Sequence, residues 1–407
     1  MPANGRGWEM ATFEPASSSR VLGLRPMDKN PDGFPYAVVG PHPGTSSGPV
    51  LGYGMAEREP TEWVNGPLGF PYRTESTVVL NAFGPILPVA FSDDEEEVLW
   101  AASVPLSPDA PPEPVGLTTD FYRDTAGGNP EFIARAAKFP PLAEYPGFAD
   151  IASDGSRVVF TSPEHLLPGD ASRTSGNSTY AWDGSGLELV DTNPLGAALS
   201  TCGSKVSKAN GMSGSGNRAF FSVPASCNGV EKVYLKDFDS GALVQISSSE
   251  CTRGDCNAPA SVFFAGATED GEFAFLTTTQ QLTDEDHDAG RDLYRYDVEA
   301  EDLSLLSGAP SEVSGAVVSN AVAYPSDDGG RVYFRATGEM IPGESTSGEK
   351  LFMADASGVR LVGPATFPAS PQIQLSADGG EALFVTNTQV LEEDTDANGD
   401  AYLYDAE

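Results

Sequence analysis

The chain has 407 residues, of which 40% are hydrophobic, and it contains 44 glycines and 33 prolines. The apolar fraction is sufficient for a core, which argues against global disorder, and the frequent Gly and Pro favour short strands over long helices. The net charge of −36 repels phosphate groups and therefore disfavours nucleic acid and anionic membranes as partners.

An internal repeat is the dominant feature of the sequence. In five copies, a short turn is followed by an apolar run that ends in Phe. The turn glycines are Gly155, Gly216, Gly271, Gly329 and Gly379, which lie 50 to 61 residues apart. This period fits one four-stranded blade of a β-propeller together with a long loop.

Two further landmarks complete each copy. Blocks of alternating apolar character end in Asp, at Asp183, Asp237, Asp297, Asp355 and Asp405. The first four blocks precede another apolar run, which reads LELV, LVQI, LSLL or VRLV. Alternation with a period of two is typical of half-buried antiparallel strands, so each copy is predicted to form strand, turn, strand, loop, strand, turn, strand.

The sequence therefore predicts an all-β fold, a β-propeller of about seven four-stranded blades in a single domain. Two degenerate copies of the repeat, around Trp63 and Trp100, bring the number of blades to seven. Because these copies depart from the repeat pattern, six or eight blades are the alternatives. The last copy lacks a fourth strand. We expect the N-terminal strand, residues 7–13, to supply it, because an unpaired edge invites aggregation; a frayed tail is the alternative. The approximate blades are 19–65, 77–136, 148–191, 205–247, 258–307, 318–363 and 370–407 with 7–13.

Two segments resemble a known family of repeats. Leu166–Asp170 with the following TYAWDGSGLELVD, and Leu282–Asp297, resemble the TolB-like, WD40-like propeller repeats of exported bacterial proteins. The resemblance covers nearly the whole chain. It implies a non-catalytic scaffold that binds a protein, small-molecule or carbohydrate ligand at one face, and we expect a monomer. Because this fold hosts many functions, the resemblance does not select the ligand.

Long acidic loops between the second and third strands are candidate calcium sites. In the last copy the predicted ligands are Asp394, Asp396, Asn398 and Asp400, and an earlier copy offers Asp284, Asp286, Asp288 and Asp292. Alternating oxygen side chains that converge at a turn suit a hard cation. An EF-hand does not fit, because its twelfth position would fall in an extended strand, on Asp405. A polar turn without an ion is the alternative.

The cysteines indicate the compartment. Cys202, Cys227, Cys251 and Cys256 are clustered and even in number, which predicts disulfides, with Cys251–Cys256 and Cys202–Cys227 as the preferred pairs. Zinc is the alternative, but the sequence has no Cys-x-x-Cys motif. We expect an extracellular, periplasmic or cell-surface protein, although the N-terminus lacks the pattern of a signal peptide and no apolar run is long enough to span a membrane.

No enzymatic site is predicted, and no cofactor other than calcium. The three histidines, His42, His165 and His287, lie in loop sequence without a recognisable nucleophile motif. The alternative function is a glycoside or peptide hydrolase with a carboxylate-based site at the mouth of the propeller channel. An Arg-Gly-Asp tripeptide lies between Cys251 and Cys256. It is interpreted either as an adhesive loop or as a chance occurrence of these three residues.

Overall fold

The structure is a computed structural model. It describes residues 20–24, 33–39, 51–58, 63–67, 86–92, 97–102, 105–111, 118–125, 130–138, 149–170, 177–193, 195–206, 211–225, 229–308, 316–319, 322–341, 343, 348–364, 373–386, 388, 390–391 and 400–406. The chain divides into two compact units. The first comprises Met1–Gly147 with Ser153–Gly155, and the second comprises Phe148–Ala152 with Ser156–Glu407.

The first unit contains two antiparallel sheets of four strands each among its described residues. The first sheet consists of β1 (Arg20–Leu24), β2 (Gly33–Val39), β3 (Leu51–Arg58) and β4 (Trp63–Pro67). The second sheet consists of β5 (Ile86–Phe91), β6 (Glu97–Ala102), β7 (Thr118–Thr125) and β8 (Glu131–Lys138). Trp100 and Tyr122 face each other across β6 and β7 and centre a buried cluster on this sheet.

The second unit contains five further sheets among the described residues. The third sheet has β9 (Ala149–Ile151), β10 (Val158–Ser162), β11 (Ser178–Trp182) and β12 (Leu187–Leu189). The fourth has β13 (Lys205–Val206), β14 (Arg218–Val223), β15 (Lys232–Asp237) and β16 (Leu243–Val244). The fifth has β17 (Phe263–Ala267), β18 (Phe273–Thr278), β19 (Asp292–Asp297) and β20 (Asp302–Leu305). A 3₁₀ turn, Pro168–Asp170, precedes β11.

The last two sheets depart from the four-stranded plan. The sixth has β21 (Val317–Val318), β22 (Tyr324–Pro325), β23 (Val332–Thr337), β24 (Glu349–Asp355) and β25 (Gly358–Pro364), with both β21 and β22 paired to β23. The seventh has β26 (Ile373–Leu375), β27 (Glu381–Thr386) and β28 (Asp400–Asp405). Residues 7–13, the predicted fourth strand of this sheet, lie outside the described residues, so closure by them stays a prediction.

The turn between the first and second strands is fixed by a recurring hydrogen-bond pattern. In the fifth sheet the hydroxyl of Thr268 accepts from the backbone N–H of Phe273 over 3.0 Å and donates to Asp270 over 2.6 Å. Ser326 and Ser376 make the same two types of bond in the sixth and seventh sheets. The turn ends on a glycine with positive φ, 67° at Gly271, a conformation that side chains with a Cβ rarely adopt. The predicted turn motif is therefore a structural element of the repeat.

Within the second unit, each sheet shares a buried core with the next. Phe220 of the fourth sheet packs with Leu276 and Tyr294 of the fifth in one cluster. A second cluster joins the fifth and sixth sheets, and a third joins the sixth and seventh. The half-buried alternation predicted from sequence is wrong for these middle strands. β10 and β11 are buried at every position, and β14 and β18 at every position after the first, because a strand in the middle of a sheet contacts a core on both faces.

Arginines at the start of the second strand connect neighbouring sheets. The guanidinium of Arg157 donates to the carbonyl of Gly216 over 2.7 Å, and Arg218 donates to the carbonyl of Gly271 over 3.0 Å. In each case the acceptor is the turn glycine of the following sheet. A charged donor strengthens such a bond, so these arginines stabilise the stacking of one turn on the next.

None of the helical segments in the described part of the chain has the length and apolar character that a membrane crossing requires.

Candidate cation-binding loop

The loop between β18 and β19 brings three carboxylates together. One side-chain oxygen from each of Asp286, Asp288 and Asp292 lies within 4.8 Å of the other two. Asp286 is buried, and the other two are half-buried. These residues, here called the carboxylate cluster, offer the oxygen ligands that hard cations such as calcium prefer.

The fifth sheet holds each member of the carboxylate cluster in place. Tyr294 in β19 donates its phenolic hydrogen to Asp286. Ser307, which follows β20, donates to Asp292 over 2.7 Å. The backbone N–H of Asp288 donates to Asp286 over 3.1 Å, which tightens the loop around the buried carboxylate. The cluster is therefore positioned by one strand, by the segment that follows β20 and by the loop itself.

The electrostatics of the cluster favour uptake of a positive charge. Burial, together with the charges of Asp286 and Asp288, raises the pKa of Asp292 to about 7. The hydrogen bond from Ser307 lowers this pKa but does not offset the increase. Burial also raises the pKa of Asp286. Carboxylates that are desolvated and close together are costly as anions, and either a proton or a bound cation relieves that cost.

Asp284 differs from the prediction, because it lies apart from the carboxylate cluster. Its carboxylate accepts from the backbone N–H and the hydroxyl of Thr252, each over 2.7 Å, and from the backbone N–H of Arg253 over 3.3 Å. The hydrogen bonds from Thr252 lower the pKa of Asp284. Asp284 therefore acts as an anchor between its loop and the preceding connection between sheets.

That connection carries a disulfide ring, residues 251–256. Cys251 and Cys256 are bonded, with their Cα atoms 6.3 Å apart. Within the ring, the guanidinium of Arg253 donates to the carbonyl of Asp286 and contacts the imidazole of His287. The Arg253 side chain is 19% exposed. Because this arginine is turned onto the acidic loop, the Arg-Gly-Asp tripeptide is not displayed as an adhesive loop would require.

Comparison with known proteins identifies similar structures. No family model matches the chain, and no curated protein matches it. Prolyl oligopeptidase B from Galerina marginata is similar over 96% of this chain and 49% of that chain, with 11% identity and a TM-score of 0.54. The β-propeller domain of the Trilobed protease from Pyrococcus furiosus is similar over 96% and 97%, with 11% identity and a TM-score of 0.46. Putative TolB from Agrobacterium tumefaciens is similar over 67% and 78%, with 14% identity and a TM-score of 0.35.

Consecutive antiparallel sheets that share cores with their neighbours, seen in the second unit, decide the architecture. The fold of this chain is a β-propeller. The predicted propeller fold is confirmed, whereas the number of blades and the closure by residues 7–13 stay predictions. Identities this low concern the fold alone, and the chain matches about half of the prolyl oligopeptidase chain.

Most of the other predicted site residues of the propeller lie outside the described residues. These are Cys227, Asp394, Asp396 and Asn398. Asp400 is the first residue of β28, and Cys202 is disulfide-bonded. In sequence, Asp394, Asp396 and Asp400 have the same spacing as Asp286, Asp288 and Asp292. The calcium prediction for the last blade therefore stays a prediction with a structural counterpart in the fifth sheet.

The third sheet contains a related arrangement, in which the described residues form no carboxylate cluster. Tyr180 in β11 donates to the buried Asp170, and the Nδ1 atom of His165 lies 3.1 Å from the same carboxylate. Tyr180 and Tyr294 are both the third residue of the third strand. Asp170 and Asp286 thus have a shared structural role, which is to bind the loop to a strand tyrosine.

The residues that support the carboxylate cluster were not predicted from the sequence. Tyr294, Ser307 and Arg253 all contact it or its loop. The recurrence of tyrosine at the third position of the third strand, in Tyr180, Tyr294 and Tyr402, was the signal that could have identified the first of them. Arg253 gave no such signal.

Proposed function

We propose that this chain is a non-catalytic, exported β-propeller that binds a protein or carbohydrate ligand and holds a calcium ion in its fifth sheet. The observation that supports the calcium site is the convergence of Asp286, Asp288 and Asp292 within 4.8 Å. Bound calcium would neutralise the desolvated carboxylates and order the loop, and so would fix one part of the ligand-binding end of the propeller.

Calcium fits the loop better than magnesium does. Magnesium demands an octahedral arrangement of ligands, whereas calcium accepts irregular geometry and a variable number of oxygens. The carboxylate cluster comes from an irregular loop and the first residue of a strand, and the carbonyl of Asp288 is already in use as an acceptor from Gln281. We therefore expect water to complete the coordination shell.

Export is supported by the Cys251–Cys256 disulfide, since such bonds persist in oxidising compartments. The high acidic charge supports a soluble partner-binding role over contact with nucleic acid or anionic lipid.

Isothermal titration calorimetry tests the calcium proposal. Calcium titrated into wild-type protein should give saturable binding that is stronger than magnesium binding under the same conditions. The variant Asp288→Asn should lose the calcium bound by the fifth sheet, and Glu285→Gln should keep it, because Glu285 is an exposed residue of the same loop outside the carboxylate cluster. Equal, non-saturable heats for both ions would contradict the proposal.

A hydrolase is the second candidate function. It is favoured by the pair of His165 and Asp170, because a buried carboxylate that orients an imidazole is one way to position a general base. The same aspartate position in the fifth sheet is Asp286, which binds the equivalent tyrosine, so the pair also fits a structural role. Turnover of peptide or glycoside substrates by wild-type protein, lost in His165→Ala, would favour the hydrolase; its absence would favour the scaffold.

A further inference from the structure

The disulfide ring and the acidic loop of the fifth sheet are joined by a network of hydrogen bonds. From the ring, Thr252 and Arg253 bind Asp284, and the guanidinium of Arg253 binds the carbonyl of Asp286. Beside the ring, the backbone N–H of Glu250 donates to the carbonyl of Leu282 over 2.7 Å. The connection between the fourth and fifth sheets therefore clamps the loop that carries the carboxylate cluster.

A further part of this clamp lies just after the ring. The side chain of Asn257 accepts from the backbone N–H of Gln281 over 2.9 Å, and the side-chain oxygen of Gln281 accepts from the backbone N–H of Asn257 over 2.9 Å. The amide group of Gln281 then donates to the carbonyl of Asp288 over 2.7 Å. Two residues thus connect the end of the ring with a member of the carboxylate cluster.

The clamp depends on the geometry of the ring. Two consecutive backbone N–H groups, of Thr252 and Arg253, point at one carboxylate, that of Asp284. The bond between Cys251 and Cys256 restricts the backbone that presents these donors. Breaking it gives the backbone of residues 251–256 more freedom, and the entropy of ordering that segment then opposes the clamp.

The disulfide is also open to exchange. Cys251 and Cys256 are both half-buried, and the guanidinium of Arg253 lies 3.9 Å from the sulfur of Cys251. A positive charge at this position stabilises Cys251 as a departing thiolate. A dithiol reductant can therefore attack the sulfur of Cys256.

A dithiol reduces the Cys251–Cys256 disulfide in two steps. The reductant thiolate forms a bond to the Cys256 sulfur, the Cys251–Cys256 bond breaks, and Cys251 leaves as a thiolate that takes up a proton. The second thiol of the reductant then displaces Cys256, which also leaves as a thiol. Two electrons pass to the protein, and the reductant ends as a cyclic disulfide.

We propose that the Cys251–Cys256 disulfide is a redox switch for the calcium loop: the oxidised ring clamps the loop and supports tight binding, and the reduced ring releases it. This inference rests on the proposed calcium site. Positioning groups behind metal ligands typically change affinity 10- to 100-fold, so we expect reduction to weaken calcium binding by about ten-fold.

Calcium titration of three proteins tests the switch. The variant Cys251→Ser with Cys256→Ser should bind calcium about ten-fold more weakly than wild type. The control, Cys202→Ser with Cys227→Ser, should bind like wild type, because it leaves the ring intact. In this control background, dithiothreitol should weaken binding and reoxidation should restore it.

The possible failures are distinguishable. If wild-type protein binds no calcium, both the proposed calcium site and the proposed redox switch are wrong. If wild-type and ring-deleted proteins bind equally, the calcium site stands and the switch is wrong. Should the ring-deleted protein not fold, as judged by near-ultraviolet circular dichroism, Asp284→Asn with an intact disulfide provides a second test. It should also weaken binding, and unchanged affinity would overturn the proposal.

Discussion

Tyr294 and Asp286 are joined by a hydrogen bond in which a buried phenol donates to a buried carboxylate. Tyr180 and Asp170 repeat this relationship in the third sheet. In both sheets the bond ties the loop between the second and third strands to the third strand itself. In the fifth sheet the carboxylate also belongs to the carboxylate cluster, so there one bond serves both the fold and the proposed calcium site.

Replacement of these tyrosines should separate the two roles. We expect Tyr294→Phe and Tyr180→Phe each to lower the free energy of unfolding by about 1–3 kcal/mol, because each removes the phenolic donor from a buried carboxylate. Chemical denaturation measures this loss. Calcium affinity, measured by titration calorimetry, should fall in Tyr294→Phe and stay unchanged in Tyr180→Phe. An equal effect of both variants on calcium binding would show that the tyrosine acts through general stability.

The stability of the calcium-free protein should depend on pH through Asp292. Its pKa rises from an ordinary 3.8 to about 7 on folding. The folded state therefore binds more protons than the unfolded state between these values, and this contribution to the free energy of unfolding is present at low pH and is lost as pH rises to about 7. Asp292→Asn should reduce that loss, because its side chain carries no charge at any pH.

In the presence of calcium, the free energy of unfolding should instead rise with pH. The ion competes with the proton for the carboxylate cluster, so calcium affinity should fall as the pH is lowered from about 8 to about 6. Calorimetric titrations across this range measure the effect. A pH-independent affinity would mean that Asp292 is not a ligand.

The stacking of turns should be sensitive to a single methyl group. A Cβ atom on Gly271 would lie 2.9 Å from the Cβ of Ser213 in the fourth sheet, whereas one on Gly229 would meet nothing within 4 Å. Both glycines have positive φ, which costs an alanine about 1–2 kcal/mol. Thermal unfolding should therefore show a loss in Gly229→Ala and a larger one in Gly271→Ala. An equal loss of stability in the two variants would mean that the neighbouring turn moves to accommodate the methyl group at no measurable cost.

The fold could be predicted because its signals are local. The glycines of the turns need positive φ, and each turn is followed by a short apolar run, so both are visible in short windows of sequence. The first strand of the sixth sheet consists of two short segments, Val317–Val318 and Tyr324–Pro325, and this division was not predicted. Each segment has two residues, too few for a strand pattern to be visible in the sequence.

The candidate site could be predicted in part. The spacing of Asp286, Asp288 and Asp292 reflects one loop, and the structure brings these three together. Asp284 has the same alternating spacing, yet it binds Thr252, which lies 32 residues earlier in the chain. Contacts between a loop and a separate connection depend on the packing of sheets, and no local pattern records them.

The last sheet should contribute a second ion. Because Asp394, Asp396 and Asp400 repeat the spacing of the carboxylate cluster, we expect two calcium ions to bind each chain. Replacing Asp396 and Asp400 with Ala should remove one ion, and replacing Asp288 and Asp292 with Asn should remove the other. Equilibrium dialysis with radioactive calcium gives the stoichiometry. If wild-type protein binds one calcium ion per chain, and Asp396→Ala with Asp400→Ala does not change that number, calcium binds only to the fifth sheet.

The melting temperature in calcium tests the central claim most directly, with wild-type protein compared with Asp286→Asn plus Asp292→Asn at constant ionic strength. At a calcium concentration about 100 times the dissociation constant, each occupied site should stabilise the wild-type protein by about 2.7 kcal/mol and so raise its melting temperature. The variant should lose the share of the fifth sheet, whereas Glu285→Gln should keep it. If calcium and an ionic-strength-matched monovalent salt raise the melting temperature of wild-type protein equally, the effect is screening, and the carboxylate cluster is not a calcium site.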